Sequence, residues 1–241
     1  MLIHLVNPNT TASMTAKARA AAETVAGPGT RILATESAHG PASIEGPYDA
    51  AFAVPPMLAR IAEADAAGAD AHVIACFDDT GLDAARALTT KPVLGIGEAG
   101  FHVAAMVAET FSVVTTLGRA VPTISANLVR YGLATRCARV RAAEVPVLAL
   151  EEPGSEACDR ISQEIARALT EDGAQAIVLG CAGMTDLARR LSHIHGVPVI
   201  DGVAAAVTLA EALVRLGLKT SKIGGWAPPL AKSMTGPYGE G

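Results

Sequence analysis

Two of the four cysteines in this 241-residue chain stand in matching surroundings. Cys76 closes the apolar run HVIAC and Cys181 closes IVLGC, and a short polar loop and a helical stretch follow each. A thiol with an ordinary pKa of about 8.5 needs little adjustment to act as acid or base near neutrality. At the start of a helix it meets unpaired N–H groups and the positive end of the dipole, so both thiols are expected to ionise more readily than a free cysteine. Two such thiols on opposite faces of a carbon acid can do one job well: one removes a proton while the other delivers a proton from the far side. Cys137 and Cys158 have no such match and read as small buried side chains.

The match belongs to a longer repeat. The segment GADAHVIACFDDTGLDAARALTTKPVLGIGEA begins at Gly68, and GAQAIVLGCAGMTDLARRLSHIHGVPVIDGVA begins at Gly173. Both run Gly-Ala, buried strand, cysteine, polar loop, helix and Pro-Val strand. The offset between the cysteines is 181 − 76 = 105, which also pairs Thr80 with Thr185 and Leu82 with Leu187 and has slipped to 106 at Pro92 and Pro198. LVNPNT near residue 7 and VVTTLG near residue 115 carry the match back to earlier strands.

Hydrophobic period supplies the elements that hold these residues. Short Val, Ile and Leu runs predict strands at 2–7, 31–36, 71–77, 92–96, 111–116, 140–145, 176–181 and 198–201. Ala-rich stretches predict helices at 12–26, 48–67, 98–108, 121–131, 155–171 and 202–216. Strand–helix alternation implies right-handed βαβ units and mostly parallel sheets. With the repeat, this predicts an α/β fold of two similar Rossmann-like domains related by an approximate two-fold. Ligands of such sheets bind beyond the carboxyl ends of the strands, which puts both cysteines in the cleft between the domains. The final stretch, SKIGGWAPPLAKSMTGPYGEG, is rich in Gly and Pro and is expected to be an irregular tail that packs on a neighbour.

Composition narrows the function. Half the residues are hydrophobic but only 3% are aromatic, which suits buried parallel strands and closely packed helices. A net charge of −5 without a basic stripe argues against nucleic acid. No apolar run reaches the roughly 20 residues of a membrane span, and MLIHLVNPNT has the look of a strand entering a turn, not of a signal peptide. Without CxxC or regular cysteine spacing, free thiols in a reducing cytoplasm are expected. The six histidines are scattered, so no metal site is expected; His4 and His72 fall inside strands. Gly95-x-Gly97 lacks the third glycine of a dinucleotide fingerprint.

Taken together, VNPNT at 6–10, PASIEG at 41–46, ACFDDTGLDAAR at 75–86, FSVVTT at 111–116, RYGL at 130–133 and LGCAGM at 179–184 resemble the hydantoin and allantoin racemases of the aspartate/glutamate racemase superfamily. The resemblance covers nearly the whole chain. It implies two α/β domains around a cleft with the C-terminal helix returning to the first, hence residues 1–97 plus 208–241 and residues 98–207. It also implies a homo-oligomer working without metal or organic cofactor. Cys76 and Cys181 match the acid/base pair, each the base for one enantiomer. Asn7, Ser43, Phe77, Asp78, Thr115, Thr116, Ala182 and Gly183 match positions that line the substrate pocket. Backbone amides after each cysteine would stabilise a developing enolate oxygen.

One loop departs from the family pattern. Where CFGDPG is expected, this chain has CFDDTG, with Asp78 and Thr80. A carboxylate beside the thiol raises its pKa unless it turns away or binds substrate. Asp78 and Asp79 read equally as helix N-terminal carboxylates or as substrate contacts. The expected reaction is racemisation of 5-substituted hydantoins or of allantoin, neutral rings that tolerate these carboxylates. Aspartate or glutamate racemisation is the nearer alternative, disfavoured because a dicarboxylate would be repelled. Maleate-type isomerisation also uses two cysteines, whereas a decarboxylase of the superfamily needs one. A non-catalytic two-lobed binding protein would need the cleft but not the thiols.

Overall fold

The computed structural model describes residues 1–151 and 156–233. The first half runs β1 (Leu2–Asn7), α1 (Ala12–Val25), β2 (Arg31–Glu36), α2 (Pro47–Ala66), β3 (Ala71–Ile74), α3 (Leu82–Leu88) and β4 (Val93–Gly95). After α4 (Ile96–Val107) the second half repeats it: β5 (Phe111–Thr115), α5 (Val121–Arg130), β6 (Cys137–Ala142), α6 (Ala157–Glu171), β7 (Ala176–Gly180), α7 (Ala188–His195), β8 (Val199–Ile200) and α8 (Gly202–Arg215). The sheets have strand orders β2-β1-β3-β4 and β6-β5-β7-β8, so the two halves share one topology. Every strand pair is parallel. The predicted α/β class, with two similar parallel sheets, is what forms.

Local departures have local causes. Strand β6 starts at Cys137, not at residue 140, because Cys137 pairs with Phe111 at the sheet edge. Its arginines hide the strand's alternation in the sequence: Arg141 is buried in ion pairs with Asp172, Glu171 and Glu164. Helices α3 and α7, of seven and eight residues, are too short to show a period and were implied only by the repeat. The predicted start of the helix at residue 155 lies outside the described residues.

Two helices are shared between the sheets. α4 follows the first sheet yet packs on β7, and α8 follows the second yet packs on β3. Gly100 on α4 and Gly202 on α8 let the helices approach closely, since a Cβ on Gly100 would lie 3.6 Å from Gly202 Cα and one on Gly202 only 2.4 Å from Ile96 O. One apolar cluster therefore runs through both halves, joining Ile3, Leu5 and Val73 to Val113 and Val178 through Phe101, Val203 and Val207. Separate clusters fill the outer faces, around Met57, Ile61 and Ile74 under α2 and around Val114, Ile161 and Ile165 under α6.

The described part of the tail folds back on this chain's own α3. Thr220 N donates to Thr90 O at 3.0 Å, and the Lys222 ammonium donates to the Ala87 carbonyl at 3.1 Å. The Trp226 indole donates to Asp83 at 3.1 Å and lies 4.8 Å beneath the Arg86 guanidinium. Unsatisfied carbonyls at the end of α3 draw in the lysine, which is why this Gly- and Pro-rich segment finds a local partner.

Candidate active site

The carboxyl ends of β1, β3, β5 and β7 converge on one cavity of about 40 Å³, lined by both Cys76 and Cys181. Of the other residues singled out in the sequence, Phe77, Asp78, Thr115, Thr116 and Ala182 line it too. Asn7, Ser43 and Gly183 do not. Asn7 is buried beneath the β1–α1 loop, its amide donating to Asn9 Oδ1 at 2.8 Å and Thr15 Oγ1 at 3.1 Å while its own oxygen accepts from Asn9 N. It shapes the loop that carries Asn9 to the cavity. Ser43 donates to Glu45 Oε1 at 3.4 Å, and Gly183 donates its N–H to Cys181 Sγ at 3.4 Å.

Asn9 and Glu45 are the polar liners that the sequence reading passed over. Both lie within the motifs VNPNT and PASIEG, two residues beyond the positions chosen, so the signal was present at motif resolution. Glu45 comes from the β2–α2 loop and its carboxylate accepts from Val147 N of the second half at 3.3 Å.

The two cysteines occupy different electrostatic settings. Cys181 follows β7 directly and caps a 3-10 turn, Ala182–Leu187, whose Gly183 amide points at the sulfur. This is the helix-start environment expected. Cys76 corrects that expectation. It lies beyond Ile74, the last residue of β3, and well short of α3, which begins at Leu82. Burial pushes its thiol up to about 12, and the Asp78 carboxylate adds to the rise; the Thr80 hydroxyl, 3.4 Å from the sulfur, and the Asp78 amide offset this only in part.

The two aspartates of this loop part company. Asp79 turns away from the cavity and accepts from Gly97 N at 2.9 Å, Glu98 N at 2.8 Å and the Tyr131 hydroxyl at 2.7 Å. It is a helix N-terminal carboxylate, but for α4 and not for the helix that follows it. Burial lifts its pKa to about 7 against the pull of these three donors. Asp78 stays at the cavity wall, where burial alone raises it to about 6 and no donor among the described residues meets its carboxylate.

At β5, Thr115 and Thr116 differ in the same way. The Thr115 hydroxyl donates to Gly180 O at 2.9 Å, a closeness that depends on residue 180 being glycine, since a Cβ there would sit 2.7 Å from Thr115 Cβ. The Thr116 hydroxyl has no such bond and is free to serve a ligand. Cys137 lies on β6 and Cys158 on α6, and neither lines the cavity.

Comparison with known proteins bears on the fold and the family. The family model described as Asp/Glu/Hydantoin racemase matches residues 3–210. A hydantoin racemase of Rhizobium meliloti is 51% identical over 236 residues, covering 98% of both chains. An allantoin racemase from Klebsiella pneumoniae superposes with a TM-score of 0.97 at 47% identity, over 99% of this chain and 98% of that one. An allantoin racemase from Pseudomonas fluorescens gives a TM-score of 0.94 at 42% identity, over 98% of this chain and 100% of that one.

Proposed function

The chain belongs to the Asp/Glu/hydantoin racemase family, and we propose that this isomerase racemises 5-substituted hydantoins or allantoin with Cys76 and Cys181 as a two-sided acid and base. The observation that carries the reading is that two repeat-equivalent thiols, each just past the end of a central strand, line one cavity. The thiolate of one cysteine takes the C5 proton, and the C–H electron pair moves into the ring as an enolate on the C4 oxygen. The thiol of the other cysteine then protonates C5 on the opposite face. Thiol and thiolate have exchanged places, and atoms and charge balance without a co-reactant. The C5 proton next to a carbonyl in a neutral ring is easier to remove than that of a free amino acid, whose carboxylate opposes a second negative charge.

The oxyanion needs donors placed where charge develops. Asn9 and Thr116 offer them: the Asn9 Oδ1 is fixed by Asn7 Nδ2 and Thr11 N, its Nδ2 donates only to Met14 Sδ at 3.6 Å, and the Thr116 hydroxyl is uncommitted. Two carboxylates, Asp78 and Glu45, line the same cavity, so a neutral ureide ring is favoured over the dicarboxylate of an aspartate or glutamate racemase. The lobes closing on the ring would be residues 1–97 with 208–241 and residues 98–207. On this reading the enzyme works in the cytoplasm as a homo-oligomer, with neither metal nor organic cofactor.

The test is C5 proton exchange in D2O with single enantiomers of a hydantoin panel that includes allantoin. Wild type should exchange and lose optical rotation together. Cys76→Ser and Cys181→Ser should each abolish racemisation, since each removes one face's proton carrier. Full activity in either variant overturns the two-thiol mechanism, and no exchange on any substrate by wild type overturns the hydantoin reading.

A further inference from the structure

We propose that Asp78 is the substrate-selecting residue of this site, its carboxylate accepting the N1–H that adjoins the reacting C5 of a hydantoin ring. The inference rests on the racemase reading and specifies the ligand chemistry. A carbon attacked from both faces by Cys76 and Cys181 must lie between the two sulfurs, so the ring plane stands across the line joining them. Two ring atoms flank C5, the C4 carbonyl and N1–H. The carbonyl oxygen belongs with the donors Asn9 and Thr116. The other flank therefore needs an acceptor.

The cavity supplies two carboxylates, and only one is uncommitted. Glu45 already accepts from Val147 N at 3.3 Å and from the Ser43 hydroxyl at 3.4 Å. Asp78 lines the cavity two residues after Cys76 and receives no donor from the described protein. Its backbone is fixed: the carbonyl accepts from Asn127 Nδ2 at 2.9 Å, and its neighbour Asp79 is tied to α4. Asp78 is half-buried, and its partial desolvation is uncompensated by any donor of the described protein, so a bound N–H supplies the partner that this wall lacks. The same group repels a substrate that presents a carboxylate at this flank, and it rejects a ring whose N1 carries a methyl group.

The experiment compares a 5-substituted hydantoin with its N1-methyl analogue, in wild type, Asp78→Asn and Asp78→Gly, by loss of optical rotation. Wild type should prefer the N1–H substrate. Asp78→Gly should lower kcat/KM for that substrate by about 10- to 100-fold, the range of a lost hydrogen bond to a charged group. For the N1-methyl analogue the same variant should change kcat/KM by less than about twofold or raise it, so the preference collapses; Asp78→Asn, which keeps an acceptor oxygen, should fall between. Misfolding or an indirect effect through the Cys76 thiol would depress both substrates alike and leave their ratio intact. An unchanged ratio in Asp78→Gly, with wild type active, overturns the assignment of Asp78 alone. Inactivity of wild type on every hydantoin overturns the racemase reading itself, and this inference falls with it.

Discussion

Two imidazoles buried in the first sheet have their tautomers dictated by their neighbours. His4 Nδ1 lies 3.1 Å from His72 Nδ1, His72 Nε2 is 2.9 Å from Asp65 Oδ1, and His4 Nε2 is 2.8 Å from Thr35 Oγ1. A carboxylate only accepts, so His72 carries its proton on Nε2 and offers Nδ1 as acceptor to the Nδ1–H of His4, whose Nε2 accepts from Thr35. Protonating His72 would turn its Nδ1–H on the Nδ1–H of His4, and protonating His4 would force the Thr35 hydroxyl to turn from donor to acceptor. Burial lowers both pKa values first and most, His4 to about 3, with the paired ring opposing its charge; Asp65 pulls upward and Arg60 downward. A base with a depressed folded pKa gives stability that is present above about pH 6.5 and is lost as pH falls toward 3. The thermal midpoint should therefore drop across that window, by the equivalent of about a few kcal/mol in stability at its acid end. The double variant His4→Gln/His72→Gln should flatten this slope whatever its absolute stability; a slope unaltered by the change would refute the linkage. In the sequence both histidines were legible as strand residues, but β1–β3 pairing is what joins them. They stand 68 positions apart, a distance no local pattern bridges.

At the scale of elements, the repeat places two helices in equivalent positions and starts them differently. Helix α8 is capped by its own Asp201, which accepts from Val203 N and Ala204 N at 3.0 Å. In α4 the capping position is Gly95, and the carboxylate comes from Asp79 in the Cys76 loop. A Cβ on Gly95 would lie 2.0 Å from Asp79 Oδ1, so the glycine leaves room for the borrowed cap. The cysteine loop is thereby bolted to α4, one of the two helices that the sheets share. Asp79 itself has φ of 51°, a left-handed conformation that suits glycine, so Asp79→Gly removes the carboxylate without adding strain. That variant should lose about 1 kcal/mol of stability, the usual worth of a cap. Adding Gly95→Asp should recover most of it by rebuilding the cap of α8 on α4, as read from urea midpoints. A double variant no more stable than Asp79→Gly would show that the carboxylate is not acting as a cap. Strand and helix positions were readable from hydrophobic period because burial imposes it. The exchange of caps was not, because Gly95 reports only that space is needed, not what fills it.

Over the whole molecule, each cysteine loop is braced by a helix of the other half. From α1, the Lys17 ammonium reaches across to the Gly183 carbonyl at 3.4 Å and the Leu150 carbonyl at 3.1 Å, beside Cys181. From α5, the counterpart of α1 in the repeat, Asn127 donates to Asp78 O at 2.9 Å and Tyr131 to Asp79 at 2.7 Å, beside Cys76. The approximate two-fold makes the bracing reciprocal. Duplication was legible because it preserves spacing, and the 105-residue offset led directly to both thiols; the braces join residues 166 and 49 positions apart and leave no such trace. If they hold the loops in register for proton transfer, Lys17→Met and Asn127→Leu should each reduce kcat/KM for racemisation by about tenfold, or about 1.4 kcal/mol of barrier. Because the two braces act on separate loops without a shared partner, their logarithmic effects should add in the double variant. Because the equilibrium constant of a racemisation is unity, each variant must slow both directions equally. Polarimetry from each pure enantiomer, beside the thermal midpoint of each variant, checks both points. Losses that follow the fall in midpoint would assign these residues to general stability, whereas a tenfold loss at an unchanged midpoint places them in the positioning of the thiols.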